Sequence, residues 1–273
     1  MVLAGIAYDG SATYRRGAAQ APGRLRELSA VMPPVTEAGQ LLQDLKVHDL
    51  GDLDAGDSIE AGWTRVAERL AQVPARSHLT VLGGDHCASI PVLAAQARRH
   101  PDLAVLWVDA HPDLCDFSRG GRWTCGCALI RALEVSGLAP RDAIVAAGRD
   151  FDAEELEFIR QRDMLLVPVA EIARDASAAG AGIGDIIAGR PVHVSFDIDA
   201  LDPAFAPGTE IPSAGGLTTR QALDLLAAVS ERSQLVGLDV VEVAPSLDHG
   251  DITTLAALKL IFESWGRLWT QRT

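Results

Sequence analysis

The sequence lacks a membrane-spanning apolar run, an excess of positive charge and a leader-like start. A transmembrane helix needs about 18 or more consecutive apolar residues, and no such run occurs in the 273 residues. The net charge of −13 disfavours nucleic acid and anionic membranes as partners, because both carry negative charge. The start, MVLAGIAYDG, has neither a basic segment nor a small-residue cleavage site. We therefore expect a cytoplasmic protein that binds no nucleic acid and no membrane.

Cysteine is also scarce, and its spacing is not that of a structural zinc site. None of the four cysteines pairs with another in a Cys-x-x-Cys motif, so we interpret them first as reduced thiols. Apolar residues, by contrast, are plentiful. The chain is 48% hydrophobic and 22% charged, the balance of a globular protein with a sizeable core. The length allows one large or two small domains, and we expect a single domain over residues 1–273.

Short apolar runs alternate with helical patterns along the chain. This alternation indicates a parallel α/β sheet covered by helices on both faces. Periodicity does not separate a closed eight-fold barrel from an open sheet, but both place the ligand site beyond the carboxyl ends of the strands. The predicted strands are Val2–Tyr8, Lys46–Leu50, Leu79–Leu82, Ala104–Val108, Ala143–Ala147, Leu165–Val169, Val192–Phe196 and Leu235–Val241. The predicted helices are Pro22–Val31, Gly62–Leu70, Ile90–Arg99, Ala128–Ser136, Ala153–Arg162, Ala181–Ile187, Thr219–Ser230 and Thr253–Trp269.

Four of the predicted strands are followed directly by acids and histidines. The segments GGDHCAS, DAHPD, DIDALDP and EVAP follow the third, fourth, seventh and eighth strands. A single Asp at a strand end is usually a cap or turn residue. Four such segments at one edge of a sheet instead indicate a site. The candidate ligands are four carboxylates and two imidazoles: His86, Asp109, His111, Asp113, Asp197 and Asp199.

The spacing and charge of these ligands point to a metal centre. Residues two apart in an extended segment share a face, so Asp109, His111 and Asp113 can converge, as can Asp197 and Asp199. Four clustered carboxylates repel one another unless cations offset their charge. Carboxylate oxygen with some imidazole suits manganese, iron or zinc, and two such ions can lower the pKa of a shared water towards neutrality. The expected chemistry is attack of hydroxide on a polarised carbon.

The motifs resemble those of the ureohydrolases, the group of arginases, agmatinases and formimidoylglutamases. The resemblance rests on GGDHCAS, DAHPD, SFDIDALDPAFAPGTE with GGLT after it, and GLDVVEVAPSLD, and it covers most of the chain. It implies a three-layer α-β-α fold with an open, mainly parallel eight-stranded sheet, as in arginase. It also implies two Mn²⁺ ions per chain and a homo-oligomer, commonly a trimer or hexamer.

The resemblance further implies a role for each candidate. Asp109 and Asp197 would bridge the two metals, Asp113 would also pass a proton to the leaving amine, and Glu242 in EVAP would pair with a guanidinium. One metal would be held by His86, Asp109, Asp113 and Asp197. The other would be held by His111, Asp109, Asp197 and Asp199.

One departure from the family pattern affects the catalytic site. Cys125 lies before Gly126, where arginases and agmatinases carry a histidine, and a thiol does not replace an imidazole at the same pKa. Formimidoylglutamases also lack that histidine, so the departure is compatible with activity. We keep Cys125 as a catalytic candidate together with Asp113 and Glu242.

Four further residues are candidates for binding the tail of the substrate. Cys115 stands where arginases carry an Asn that binds the substrate carboxylate, and Arg119 and Arg122 in the same loop offer guanidinium groups instead. Asp152 and Glu155 in GRDFDAEE match arginase acids near the α-ammonium of the substrate, although acids also favour a helix N-terminus.

The leading hypothesis is a metal-dependent hydrolase of C–N bonds in linear amidines, with arginase-type release of urea from an arginine-like substrate by a metal-bridging hydroxide. One alternative is a formimidoylglutamase acting on a formimino substrate. Another is an agmatinase or guanidino-acid hydrolase. A protein of a different class, a metal-binding homologue without turnover, stays open because of Cys125.

Overall fold

The eight predicted strands all form, and they pair in a single sheet. In the computed structural model, which describes residues 1–56 and 59–270, every pairing between these strands is parallel. Their ends differ from the prediction by a few residues. The strands are β1 Val2–Gly5, β2 His48–Asp52, β3 Leu79–Leu82, β4 Ala104–Val108, β5 Ala143–Gly148, β6 Leu165–Pro168, β7 Pro191–Asp197 and β8 Gln234–Val241.

The order of the strands decides where the site lies. It runs β2-β1-β3-β8-β7-β4-β5-β6, an open sheet rather than the closed barrel that periodicity left possible. The four strands that carry the acidic and histidine segments, β3, β8, β7 and β4, are neighbours at the centre. The register pairs Val108 with Phe196 and Phe196 with Val240. Asp109 and Asp197, the next residues, therefore leave the sheet at the same level.

The helices that connect these strands agree with the predicted pattern, with one addition. The predicted strand Leu165–Val169 includes Val169, but Val169–Arg174 forms a short helix, α6, that the sequence patterns do not predict. The next helix begins at Ala176 rather than Ala181, and Asp175 caps it by accepting a hydrogen bond from the Ala178 amide at 2.9 Å. The helices are α1 Ala21–Ser29, α2 Ile59–Ala71, α3 Ser89–Arg99, α4 Ala128–Ser136, α5 Ala153–Gln161, α6 Val169–Arg174, α7 Ala176–Ile186, α8 Thr219–Ser230 and α9 Ile252–Thr270.

Two layers of helices bury the two faces of the sheet. Along β4, Ala104, Leu106 and Val108 pack into one core, whereas Val105 and Trp107 pack into the other. This period-two alternation is that of a strand buried on both faces. The first core is covered by α1 and α6 to α9, and the second by α2 to α5. The predicted three-layer α-β-α fold is confirmed. Among the described helices, none is both long and apolar enough to cross a bilayer.

Candidate metal centre and substrate cleft

The first group of candidate ligands surrounds the buried imidazole of His86. Its Nδ1 atom lies 3.1 Å from Asp109 Oδ2, 3.2 Å from Asp113 Oδ2 and 3.1 Å from Asp197 Oδ2. Despite this crowding, Nδ1 makes no hydrogen bond of acceptable geometry with the residues that the structure describes. Burial, and then the neighbouring carboxylates Asp199 and Asp109, raise the pKa of Asp197 well above its usual range. A divalent cation among these atoms would satisfy the nitrogen and offset the repulsion.

The second group surrounds His111, on the side of the sheet edge that opens to solvent. The Nδ1 atom of His111 lies 3.1 Å from Asp199 Oδ2 and 3.5 Å from Asp109 Oδ1. Asp109 therefore presents one oxygen to each histidine, and its Oδ1 also accepts a hydrogen bond from the His111 amide at 2.7 Å. Asp197 presents Oδ2 to His86, and its Oδ1 likewise accepts a hydrogen bond from the Asp199 amide at 2.7 Å. Bridging of two metals by Asp109 and Asp197 stays a prediction.

The six ligands converge through turns, and not through the extended backbone that the alternate spacing suggested. Asp197 caps the 3₁₀ turn Ile198–Ala200, and Asp199 lies within that turn. Asp113 has a φ of 56° and Glu242 a φ of 61°, in the left-handed region that residues other than glycine seldom adopt. Such conformations cost energy and concentrate at functional sites. The predicted extended path of the chain between the ligands is therefore wrong, although the ligands do meet.

Behind His86, a buried polar network holds the imidazole in one orientation. Its Nε2 atom lies 3.1 Å from Ser195 Oγ, and the Ser195 hydroxyl donates to Asp239 Oδ1 at 2.7 Å. Asp239 Oδ2 in turn lies 2.6 Å from His193 Nε2. Because the Ser195 proton is committed to Asp239, its oxygen accepts the Nε2 proton, which leaves Nδ1 as the free ligand atom. The ring also stacks on Trp107, with centroids 3.9 Å apart.

Sequence patterns missed Ser195 and Asp239, although one signal was present. An acid within the otherwise apolar segment of β8, VGLDVV, is expensive to bury without partners, and Asp239 is fully buried. Such a residue indicates a hydrogen-bond network beneath the sheet edge.

Replacing Ser195 by Ala is expected to weaken metal binding at His86 by about 10- to 100-fold, the usual effect of losing a partner that orients a ligand. The imidazole would lose the contact that fixes its tautomer, while every direct ligand stays in place. Chelator competition measures the affinity. Ser29→Ala, which removes a hydroxyl that donates to the Arg26 carbonyl within α1, is the control. Wild-type affinity in Ser195→Ala would contradict the assigned role.

A cleft of about 300 Å³ opens beside the two groups of ligands. On its inner wall, Glu242 Oε1 accepts hydrogen bonds from the His86 amide at 2.8 Å and from the Cys125 thiol at 3.3 Å. Glu242 Oε2 is buried and has no hydrogen-bond partner among the described residues. A hydrogen bond with Cys87, followed by burial, raises the pKa of Cys125 well above its usual range. The thiol is therefore a donor to Glu242, and the unmet Oε2 atom can accept an N–H group of a ligand.

At the outer end of the cleft, the structure assembles part of the predicted tail-binding set. Arg119 and Asp152 are exposed and line the cleft. Glu155 also lines it, but both of its oxygens accept backbone hydrogen bonds, from the Leu114 amide at 2.9 Å and the Asp152 amide at 2.8 Å. Glu155 thus helps to cap the N-terminus of α5, because it lies three residues after the N-cap residue Asp152.

Arg122 is not brought to the cleft. Its guanidinium lies 3.0 Å from Asp116 Oδ1 and 3.5 Å from Glu134 Oε1, two exposed acids of the loop and of α4. The predicted grip on a substrate carboxylate therefore depends on Arg119 alone.

The geometry agrees with what comparison with known proteins finds. The family model described as the arginase family matches residues 1–266. This chain belongs to the arginase family. The predicted ureohydrolase membership and hydrolase class are thereby confirmed.

Individual relatives match almost the whole chain. A guanidinopropionase from Pseudomonas aeruginosa is 34% identical over 96% of this chain and 84% of the relative. An agmatinase from Bacillus cereus is 31% identical over 96% of this chain and 90% of the relative. A solved structure of proclavaminate amidinohydrolase from Streptomyces clavuligerus has a TM-score of 0.88 and 31% identity, over 98% of this chain and 90% of that chain. A solved structure of arginase from Bacillus subtilis has a TM-score of 0.84 and 27% identity, over 97% of this chain and 98% of that chain. The arginase-like fold is confirmed, and the names differ in the substrate they state.

Proposed function

We propose that the protein is a manganese-dependent hydrolase that cleaves a linear guanidino compound into urea and an amine. The observation that carries this proposal is the unmet Oε2 atom of Glu242, buried in a cleft beside two carboxylate–imidazole groups. Neither of those two groups contains a thiolate in the described part of the chain. This donor set fits manganese better than it fits a structural zinc ion.

The residues of the site would divide the proposed reaction into metal binding, guanidinium binding and proton transfer. Two Mn²⁺ ions would supply an activated water and Lewis-acid polarisation when bound. Glu242 would bind the guanidinium and neutralise its charge inside the cleft. By resemblance to the family, Asp113 would also carry a proton to the leaving amine. The ions would be held by His86, Asp109, His111, Asp113, Asp197 and Asp199.

For the tail of the substrate, we propose one charged group rather than the ammonium and carboxylate of arginine. An α-ammonium would need free carboxylates, but both oxygens of Glu155 already accept backbone hydrogen bonds. Asp152 is then the one acid of the predicted pair left for an α-ammonium, which weakens the case for arginine. Relatives that match nearly the whole chain are named agmatinase and guanidinopropionase, and this supports the agmatinase or guanidino-acid hydrolase alternative more than arginine as substrate.

Product analysis on manganese-loaded protein tests the proposal. Urea is expected from agmatine or from a guanidino acid such as 3-guanidinopropionate, with kcat/KM at least about tenfold above that for arginine, because Glu155 is not free to bind the α-ammonium of arginine. Formamide from formimidoylglutamate would favour the formimidoylglutamase instead. Binding without product across the panel would favour the homologue without turnover. Elemental analysis is expected to find two manganese ions per chain, and a single zinc ion held by cysteines would contradict the metal assignment.

A further inference from the structure

A second acid, Glu210, lies at the inner end of the cleft beside Glu242. It belongs to the loop after β7, is 3% exposed and lines the cleft. The Cys125 sulfur lies between the two acids, 3.3 Å from Glu242 Oε1 and 3.7 Å from Glu210 Oε2. One thiol proton serves only one acceptor at a time, and the shorter contact is the one to Glu242. Glu210 Oε2 is therefore left without a strong donor.

The other oxygen of Glu210 holds the carboxylate in place. Oε1 accepts a hydrogen bond from the Thr13 hydroxyl at 2.8 Å and another from the Tyr14 amide. Arg15 bonds the main chain rather than the carboxylate, because its guanidinium donates to the main-chain oxygens of Thr209 at 2.9 Å and Glu210 at 3.0 Å. The carboxylate is thus fixed by one oxygen while the other points at Cys125 and the cleft.

In the part of the chain that the structure describes, neither Glu210 nor Glu242 forms an ion pair with lysine or arginine. The acids Asp197 and Asp85 add to the negative charge around Glu242. Burying carboxylates without compensation is costly. Glu242 Oε2 independently shows that a donor is missing, because it is buried and unpaired. A planar guanidinium offers several N–H donors and a positive charge in one group.

We propose that Glu210 is a specificity-determining residue that binds the cationic guanidinium end of the substrate together with Glu242. Its Oε2 atom would accept an N–H group from the side of the cleft that Cys125 occupies. This inference rests on the proposed function and adds a second carboxylate to its guanidinium site. The site then selects a cation over a neutral molecule of the same shape.

The test compares guanidinium with urea, a neutral isostere, on manganese-loaded protein. Glu210→Gln keeps an Oε1 acceptor for Thr13 and Tyr14 but removes the charge and turns the second oxygen into a donor. Titration calorimetry with guanidinium chloride, well below denaturing concentrations, is expected to show affinity about ten- to a hundredfold weaker in this variant. Affinity for urea changes much less. In steady-state assays, KM for the guanidino substrate rises while kcat changes far less.

Two matched variants separate the charge of Glu210 from its structural role. Arg15→Ala loosens the same contact between loops without changing the charge of the cleft, so a purely structural role predicts that it behaves like Glu210→Gln. Glu68→Gln removes an exposed acid from α2 and is expected to bind guanidinium as wild type does. Unchanged guanidinium binding in Glu210→Gln, or equal weakening in Arg15→Ala, would overturn the proposal.

A cation of another kind could occupy the same cluster, because Cys125, Glu210 and Glu242 offer ligand atoms within 4.8 Å of one another. If zinc titration shows a third bound ion that Cys125→Ser removes, and Glu210→Gln leaves guanidinium affinity unchanged, Glu210 is a metal ligand and the proposal is wrong. The guanidinium titration does not depend on turnover. It therefore still tests Glu210 if no compound of the substrate panel yields urea, the result that would defeat the proposed function.

Discussion

Replacing Glu242 by Gln is expected to lower kcat/KM for guanidino substrates by at least about a hundredfold while both metals stay bound. The Oε2 atom of Glu242 is buried without a partner, and a guanidinium would bring it both a hydrogen bond and a compensating charge. A neutral amide at this position offers no charge and presents a donor to a group that has only donors. Steady-state kinetics on the best substrate of the panel measures the loss.

The design of this variant keeps the metal centre intact. Glu242 Oε1 accepts the His86 amide at 2.8 Å, and the amide oxygen of Gln can accept the same hydrogen bond. Elemental analysis should therefore find the wild-type metal content. Glu68→Gln again serves as the control for removal of an acid. Near wild-type kcat/KM in Glu242→Gln would show that the guanidinium binds elsewhere, and loss of metal would show that Glu242 acts on the metal centre.

Asp109→Asn is expected to lower the metal affinity of both sites. The loss should exceed the roughly 10- to 100-fold that follows removal of a residue that only orients a ligand. Asp109 presents Oδ2 to the His86 group and Oδ1 to the His111 group. A neutral amide bridges two cations poorly, because one of its ends is a donor. Metal content after dialysis and titration calorimetry with Mn²⁺ measure the two affinities.

Asp199→Asn is the matched control for this prediction. Asp199 lies 3.1 Å from His111 Nδ1 and belongs to the second group only. Its substitution is expected to affect one ion, whereas Asp109→Asn affects both. Retention of one manganese at wild-type affinity in Asp109→Asn would contradict the bridging role. It would show that Asp109 binds only one of the two metals.

The edge of the sheet that carries the metal ligands could be predicted from the sequence because it depends on local patterns. The strand in front of Asp109 is apolar at five successive positions, which indicates burial on both faces, and the carboxyl ends of parallel strands meet at one edge. Ligand-type residues after β3, β4, β7 and β8 were therefore predicted to lie along one edge of the sheet. Resemblance to the ureohydrolases then narrowed the chemistry. The single domain, the compartment and the oligomeric state stay predictions.

Contacts between residues that are distant in the sequence could not be predicted from those local patterns. Arg119 and Arg122 lie three residues apart in one loop, and the sequence does not distinguish them. In the structure, Arg122 forms ion pairs with Asp116 and Glu134. The same holds for Glu155, since its distance from the Leu114 amide depends on how α5 packs beside the DAHPD segment.

By itself, the sequence determined the strands, the sheet edge that carries the ligands and the residue types that meet there, because burial periodicity and strand exits are properties of contiguous segments. Only the tertiary structure decided the open strand order, the tautomer-fixing contact from Ser195 to His86, and the meeting of Glu210 with Cys125 and Glu242. Each of these brings together residues from separate segments of the chain. Their distances follow from long-range packing of the whole sheet and its helices, which no local pattern encodes.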